Sequence, residues 1–172
     1  MLKLVEASEF RLDDPVNQRL QSWKLPDNAL TAATPVTIRM LLNHTGGTNT
    51  PGFVGYRPGA PLPTLIEILN GSPPANSSPI RVEWPPGQDF HYSGGGIMVL
   101  QQMVIDVTRG RYPVVDHLVL ELLQMRDSTF EQPPPLHPRE GRCGGLSPNL
   151  LPRDLNLRAL TFVAINGRPR FR

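Results

Sequence analysis

The chain has 172 residues, of which 39% are hydrophobic, so it is long enough for one domain with a buried core and too short for two large ones. Its 20 prolines and 15 glycines predict many turns, short helices and long connections. The single cysteine, Cys143, excludes an internal disulfide and a cysteine-rich metal site, no apolar run approaches the roughly 18–20 residues of a transmembrane helix, and the net charge of +2 indicates no particular partner.

The elements predicted for the first part of the chain are short. Residues 1–8 have the pattern of a helix end, and residues 16–23 favour a second short helix. Residues 25–34 are predicted to form a loop. Thr37 is a suitable N-cap for a helix that runs through Leu42, because its hydroxyl can accept a hydrogen bond from the first helical turn.

Two further helices are predicted in the middle of the chain. Thr64 and Glu67 have the spacing of a capping box, which predicts a helix over 64–70 that stops at Gly71. Residues 81–84 favour a short strand. The clearest helix begins at Gly94 or Gly95 and runs to about Thr108, with Gly110 after it. Its predicted buried face consists of Ile97, Leu100, Val104 and Val107, which lie three or four residues apart.

The last part of the chain is rich in proline and arginine. Pro113 is well placed to open another helix, and residues 160–165 favour a strand. The inner side predicted for the helix after Pro113 consists of Val115, Leu118, Val119 and Leu122. From Arg139 onward there are seven arginines and only two acidic residues. A basic arm of this kind can bind nucleic acid, but aromatic residues are sparse and no binding motif accompanies the arginines, so no nucleic-acid partner is predicted.

Residues 91–102 contain the pattern that is most informative about function. Tyr92 follows an apparent extended segment, three glycines come directly after Ser93, and a helical pattern follows them. Glycine leaves room for a backbone or a ligand to come close, so Tyr92 is expected at the mouth of a cleft near the start of the helix. The glycines lack the lysine and serine of a phosphate-binding loop. The four histidines (His44, His91, His117 and His137) lack metal-ligand spacing, so no metal or other cofactor is predicted.

Together with Tyr92, several other segments resemble the serine hydrolases of the penicillin-binding protein and class C β-lactamase family. They are Leu4-Val5-Glu6, residues 12–16, residues 36–47, Tyr92-Ser93-Gly94, residues 107–110 and residues 122–129. Their order and spacing carry the resemblance, which covers roughly residues 1–140. Residues 1–140 are therefore predicted to form a partial domain of this family, and residues 141–172 a divergent basic tail that packs poorly.

The resemblance implies an α+β fold of the β-lactamase/transpeptidase type, represented mainly by its helical part with an incomplete sheet. It implies that Tyr92 helps to move protons to and from a nucleophilic serine. It places Ser93 and Gly94 at the substrate-binding position that follows this tyrosine. The implied substrate of the parent enzyme is a small acyl compound: a β-lactam, a D-alanyl peptide or an ester. Family members of this kind are often exported.

The chain departs from the family pattern at three places. No Ser-x-x-Lys motif is present, because Gln21 stands three residues before Lys24 and nothing stands three before Lys3. His44-Thr45-Gly46 spells the family's last motif but lies upstream of Tyr92, which favours a loop histidine after a short helix. Gly94 stands where the family has asparagine.

These departures predict that the chain is an interior fragment of a serine hydrolase that does not catalyse efficiently alone, since removing the nucleophile removes the covalent route. One alternative is a non-catalytic binding protein that retains the cleft. Another, a basic interaction module, rests only on the arginine-rich tail. The oligomeric state stays open.

Overall fold

A computed structural model describes residues 1–57, 60–110, 116–125 and 128 of the chain. The predictions for the helix start at Pro113, for the strand at 160–165 and for the tail at 141–172 lie outside these residues. The described elements are α1 (Leu2–Glu6), α2 (Val16–Arg19), α3 (Ala29–Ala33), α4 (Ile38–Leu42), α5 (Leu65–Asn70), α6 (Gly94–Thr108) and a π-helical turn (Asp116–Glu121).

The two helices predicted from their caps are confirmed. The Thr37 hydroxyl accepts a hydrogen bond from the Met40 amide at 3.3 Å, and α4 follows directly. At α5, the Glu67 carboxylate accepts from the Thr64 amide at 2.6 Å while the Thr64 hydroxyl accepts from the Glu67 amide at 3.2 Å. Gly71 ends α5 with a φ of 60°, a left-handed conformation that costs glycine little.

The prediction of a loop over residues 25–34 is wrong, because α3 lies within it. The Asn28 side chain accepts hydrogen bonds from the amides of Leu30 and Thr31 at 2.9 and 3.1 Å, and the Thr31 hydroxyl accepts from the Asn28 amide at 2.8 Å. This is a capping box in which threonine replaces the usual glutamate. Such a cap can start a helix of one turn that has no clear apolar periodicity.

Two predicted extents are also corrected. The helix expected over residues 16–23 ends at Arg19, since Leu20 has extended backbone angles. The strand expected over residues 81–84 is reduced to an isolated antiparallel bridge between Thr48 and Val82. Among the described residues there is no longer strand, so this part of the chain is mainly helical.

Helix α6 is the centre of the fold and packs against α4 and α5. Its most deeply buried side chains are Val99 and Met103, whereas three of the four residues predicted to form the buried face are only half-buried. The polar side chains of Gln102 and Asp106 are also buried, so the buried face does not coincide with the apolar stripe. The core around the helix contains Leu4, Phe10, Val16, Leu20, Trp23, Leu25, Val36, Ile38, Leu41, Leu65, Leu69, Ile80 and Val82.

The π-helical turn changes which leucines face the core after α6. The turn covers Asp116–Glu121, and its π-helical geometry shifts the register from that of an α-helix. Leu120 is buried, whereas Leu122, predicted on the inner side, is 59% exposed. That part of the prediction is wrong. No helix in the described part of the chain is long and apolar enough to cross a membrane.

Candidate active site

The segment 44–47 and the segment 83–93 lie side by side, although 36 residues or more separate them in sequence. Main-chain hydrogen bonds join them. The carbonyl of Gly47 accepts from the amides of Glu83 and Trp84 at 2.8 and 3.2 Å, and the carbonyl of Thr45 accepts from Gly87 at 2.8 Å. The sequence segments that carry the family resemblance therefore meet in space.

The close approach of these segments requires glycine at position 47. Gly47 has a φ of +66°, and a Cβ at this position would lie 2.0 Å from the carbonyl oxygen of Trp84. Any other residue would force the two backbones apart and would be strained at this φ. Gly47 therefore fixes the distance between the segment after α4 and the segment that leads to Tyr92.

The end of the second segment is attached to α6 by Ser93. The buried Ser93 hydroxyl accepts a hydrogen bond from the Gly96 amide at 2.9 Å and donates to the Asn49 carbonyl at 2.6 Å. It is thus the N-cap of α6 and also a link to the loop after Gly47. Asn49 was not identified from the sequence as important, because a single asparagine in a loop carries no motif.

Asn49 connects three parts of the chain at this site. Its side chain accepts from the Arg81 amide at 3.0 Å and donates to the Pro79 carbonyl at 3.0 Å. Its backbone carbonyl accepts a hydrogen bond from the Ser93 hydroxyl. The side chain is buried, so these bonds are protected from water. Asn49 therefore connects the N-cap of α6 to the segment at residues 79–81.

Tyr92 stands immediately before the N-cap of α6 and is 60% exposed. Its ring packs against the His44 ring with a centroid distance of 4.5 Å and an interplanar angle of 44°. The phenol is therefore at the surface beside the start of the helix and is not buried in the core, and the cleft expected at this place stays a prediction. Its role in proton transfer stays a prediction.

Ser93 and Gly94, the two residues predicted to bind substrate, have different hydrogen-bond partners. The Ser93 hydroxyl points inward and caps the helix, as described above. The Gly94 amide donates to the Pro51 carbonyl at 3.3 Å, and a Cβ on Gly94 would lie 3.1 Å from that oxygen. An asparagine at position 94 would thus crowd the loop at Pro51. Substrate binding by Ser93 and Gly94 stays a prediction.

Aromatic and imidazole rings continue the surface around Tyr92. The rings of Trp84 and His91 are stacked with a centroid distance of 4.4 Å and an angle of 13°. Phe90 is 66% exposed and meets the His44 ring edge-on at 5.7 Å. His44, predicted only as a loop histidine after a short helix, does follow α4, but it also contacts two of these rings. The spacing of the motifs gave no signal for this role.

Both lysines of the chain have partners away from these rings. Lys3 forms an ion pair with Glu6 at 2.7 Å. The Lys24 ammonium donates to the carbonyls of Asn17 and Leu20. Both ammonium groups are engaged by these partners rather than by Tyr92, so the cation expected beside a proton-transfer tyrosine is not supplied by either lysine.

The aspartates of the turn at residues 13–14 are ion-paired. Hydrogen bonding from the Arg39 side chain lowers the pKa of Asp13 below its usual value. The pKa of Asp14 is also lowered, chiefly by the backbone amide of Arg11 and then by the Arg19 side chain. Carboxyl groups with lowered pKa values are charged at neutral pH and cannot act as general acids there. This agrees with a structural turn pair.

A cavity of about 300 Å³ lies at the other end of α6, between the segment near Phe10 and the residues Asp106 and Arg109. Tyr92 does not line it. Within the described ranges, no three histidine, cysteine, aspartate or glutamate side chains are grouped so that they could hold a metal ion.

Comparisons with known proteins agree with the resemblance seen in the sequence. The sequence model of the Beta-lactamase family matches residues 1–160. That match runs past residue 140, so the predicted division of the chain at 140 stays a prediction. No curated protein matches the chain.

A solved structure, the octameric penicillin-binding protein homologue from Pyrococcus abyssi, is similar to this chain at 26% sequence identity with a TM-score of 0.55. The similarity covers 76% of this chain and 30% of the homologue, so the chain spans less than a third of that protein's length. It supports the β-lactamase/transpeptidase type of fold. With a family match over almost its whole length, the chain belongs to the Beta-lactamase family.

Proposed function

We propose that this chain is part of a β-lactamase-related serine hydrolase, in which Tyr92 transfers protons during cleavage of an acyl bond. The observation that carries the proposal is the meeting of the segment 44–47 with Tyr92 at the start of α6. Two stretches with family-like sequence, distant along the chain, here form one surface on which the tyrosine is exposed. The match to the family supports the same reading.

Acyl transfer through serine needs a nucleophile, a base within hydrogen-bonding distance and donors for the oxyanion. The sequence supplies a tyrosine at the expected place but no Ser-x-x-Lys motif. A phenol has an ordinary pKa of about 10, so it accepts a proton at neutral pH only with a cation beside it. Efficient acylation therefore needs a serine and a lysine in a Ser-x-x-Lys motif, which this sequence does not contain.

The substrate class follows from the family and is a small acyl compound. A β-lactam, a D-alanyl peptide and a simple ester all present a carbonyl group to a serine nucleophile. The exposed ring of Phe90, which contacts the same His44 ring as Tyr92 does, suits an acyl group with an apolar side chain. The missing serine–lysine pair also favours a second candidate function, a non-catalytic protein that binds such compounds reversibly.

The test separates covalent reaction from reversible binding. The chain is incubated with a fluorescent penicillin and with a fluorophosphonate, and its intact mass is measured. We expect no stoichiometric adduct. Specific labelling of any serine would overturn the proposal that the nucleophile lies outside this sequence.

Reversible binding is measured on the same protein by NMR, with penicillin and with a D-alanyl-D-alanine peptide. We expect the ring signals of Tyr92 to shift with one of these ligands. The Tyr92→Phe variant should lose affinity, whereas Tyr56→Phe, which alters a buried tyrosine that accepts from Asn76, should keep it. Unchanged Tyr92 signals with both ligands would contradict a substrate site at this tyrosine.

A further inference from the structure

We propose that His44 is a positioning residue for Tyr92 and that it holds the tyrosine segment only when its imidazole is neutral. The inference rests on the proposed function in one respect, the role of Tyr92, and otherwise on the contacts of His44. These contacts are two hydrogen bonds to backbone amides and one ring contact with Tyr92.

His44 binds both backbone amides that flank Tyr92. Its carbonyl oxygen accepts from the His91 amide at 2.8 Å. Its ring atom Nδ1 accepts from the Ser93 amide at 3.3 Å. A single residue thus fixes the main chain immediately before and immediately after the tyrosine.

The ring of His44 also contacts the side chain of Tyr92, at a centroid distance of 4.5 Å. On its other side it meets Phe90 edge-on at 5.7 Å. These ring contacts restrict the orientation of the phenol, which is otherwise 60% exposed. Main-chain and ring contacts together place the hydroxyl of Tyr92 relative to the start of α6.

The backbone of His44 turns the chain at the end of α4. Its φ of +61° is the left-handed conformation that is common directly after a helix C-cap, and the Thr45 amide closes the helix end by donating to the Met40 carbonyl at 2.8 Å. This conformation turns the chain after α4 so that the carbonyl and the ring of His44 face the same segment.

The hydrogen bond from Ser93 makes the arrangement dependent on protonation. Nδ1 can accept a hydrogen bond only while it carries no proton, so the imidazole must hold its single proton on Nε2. Protonation places a hydrogen on both ring nitrogens, and the Ser93 amide then faces another donor. The bond is lost, and an imidazolium cation stands beside the phenol of Tyr92.

In the part of the chain that the structure describes, Tyr92 and His91 are titratable residues that contact His44. Tyr92 contacts its ring, and His91 bonds to its carbonyl through the main chain. The His91 ring is stacked on Trp84 instead, with a centroid distance of 4.4 Å. His91 is therefore the group that the experiment must distinguish from His44.

The experiment follows the ring signals of Tyr92 and the amide signal of Ser93 by NMR between pH 5 and 8, the range in which histidine side chains ordinarily titrate. The chain has three tyrosines, and the Tyr92→Phe variant assigns the relevant ring. In the unaltered protein we expect both signals to move with one common midpoint. Signals that do not move across this range would overturn the proposal without the need for any variant.

Three variants identify the group responsible. His44→Asn tolerates the left-handed backbone and does not titrate, so the pH response of Tyr92 should disappear. His44→Phe keeps a ring against Tyr92 but has no acceptor, so the Ser93 amide should be unbonded at every pH. His91→Asn is the matched control and should keep the full response. A response that survives in His44→Asn, or one that vanishes in His91→Asn, would refute the assignment to His44.

These measurements need no substrate, so they are independent of the ligand titration of Tyr92. A pH response without any ligand shift would support the positioning by His44 and contradict the substrate site. A ligand shift without a pH response would do the opposite.

Discussion

The hydrogen-bond network around Asp106 offers the sharpest test of how α6 is held in place. The Asp106 carboxyl group accepts from the amides of Gln21 and Ser22 at 2.7 and 3.2 Å, from the Ser22 hydroxyl, and from the Gln102 side chain at 2.9 Å. Four donors therefore converge on one side chain that is 8% exposed. The network joins the last turns of α6 to the segment after α2, and we expect Asp106→Ala to destabilise the fold strongly.

The size of the effect follows from the donors that remain. Gln21 and Ser22 are exposed residues, so water can replace part of what their amides lose. Gln102 is 3% exposed and keeps only its bond to the Ser22 hydroxyl, at 2.6 Å. A hydrogen bond contributes about 0.5–1.5 kcal/mol net, and a buried donor left unsatisfied costs about 1–3 kcal/mol. We therefore expect the free energy of unfolding to fall by roughly 2–4 kcal/mol, a large part of the ~5–15 kcal/mol typical of a domain.

The assay is urea unfolding followed by circular dichroism, together with the thermal midpoint. For a chain of this size, each kcal/mol corresponds to about 2–4 °C in Tm, so the midpoint should fall by roughly 4–16 °C. The control variant Asp89→Ala removes an exposed carboxyl group that does not belong to the network. Its free energy of unfolding should stay within about 0.5 kcal/mol of that of the unaltered protein. If Asp106→Ala matches this control, the network does not hold α6 and the reasoning is refuted.

Two further predictions concern packing at the site and the dependence of stability on pH. Gly95→Ala should destabilise the fold by about 1–3 kcal/mol, because a Cβ at this position would lie 2.8 Å from the Asn49 carbonyl oxygen. Gly52→Ala is the control and should leave the stability unchanged, because a Cβ there has no atom within 4 Å. Urea unfolding of both variants measures the difference. The pKa of Asp14 is lowered in the folded state, chiefly by the Arg11 amide, so its contribution to stability is present above the unfolded pKa and is lost as the pH falls through the lower folded pKa. The urea midpoint should thus fall on acidification below about pH 4, and less steeply in Asp14→Asn; equal slopes would contradict this.

The parts of the fold that the sequence predicted well are those in which the signal is local. Thr37, Thr64 and Gly71 act through their own backbone neighbours, so their spacing alone determines where α4 and α5 begin and end. α3 was missed because its cap uses Asn28 and Thr31, a pair that is also common in turns.

The buried face of α6 could not be read from apolar spacing. Gln102 and Asp106 are buried because partners on a segment some 80 residues earlier satisfy their hydrogen bonds. A periodicity argument assigns polar side chains to the solvent side, and nothing near these two residues in sequence signals the distant donors. The predicted face therefore included Val104 and Val107, which are only half-buried.

At the candidate site the position of Tyr92 along the chain could be predicted from the sequence, but the contacts that support it could not. The tyrosine belongs to a pattern that can be recognised along the chain. Its supports are the hydrogen bonds of His44 to the tyrosine segment, the close approach at Gly47 and the carbonyl of Asn49, each of which joins residues far apart in sequence. These relations arise from tertiary structure, so no local motif contains them.

The geometry around Tyr92 is separable from the chemistry of acyl transfer. Every contact that places the tyrosine comes from the described residues themselves: two amides bound by His44, the helix cap of Ser93 and the anchoring of α6 through Asp106. None of these contacts involves a catalytic serine or lysine. The surface on which a substrate would lie can therefore form in this chain without the nucleophile, and covalent labelling and reversible binding become independent measurements. Reversible binding of an acyl compound at Tyr92 without an adduct is the outcome expected of the second candidate function.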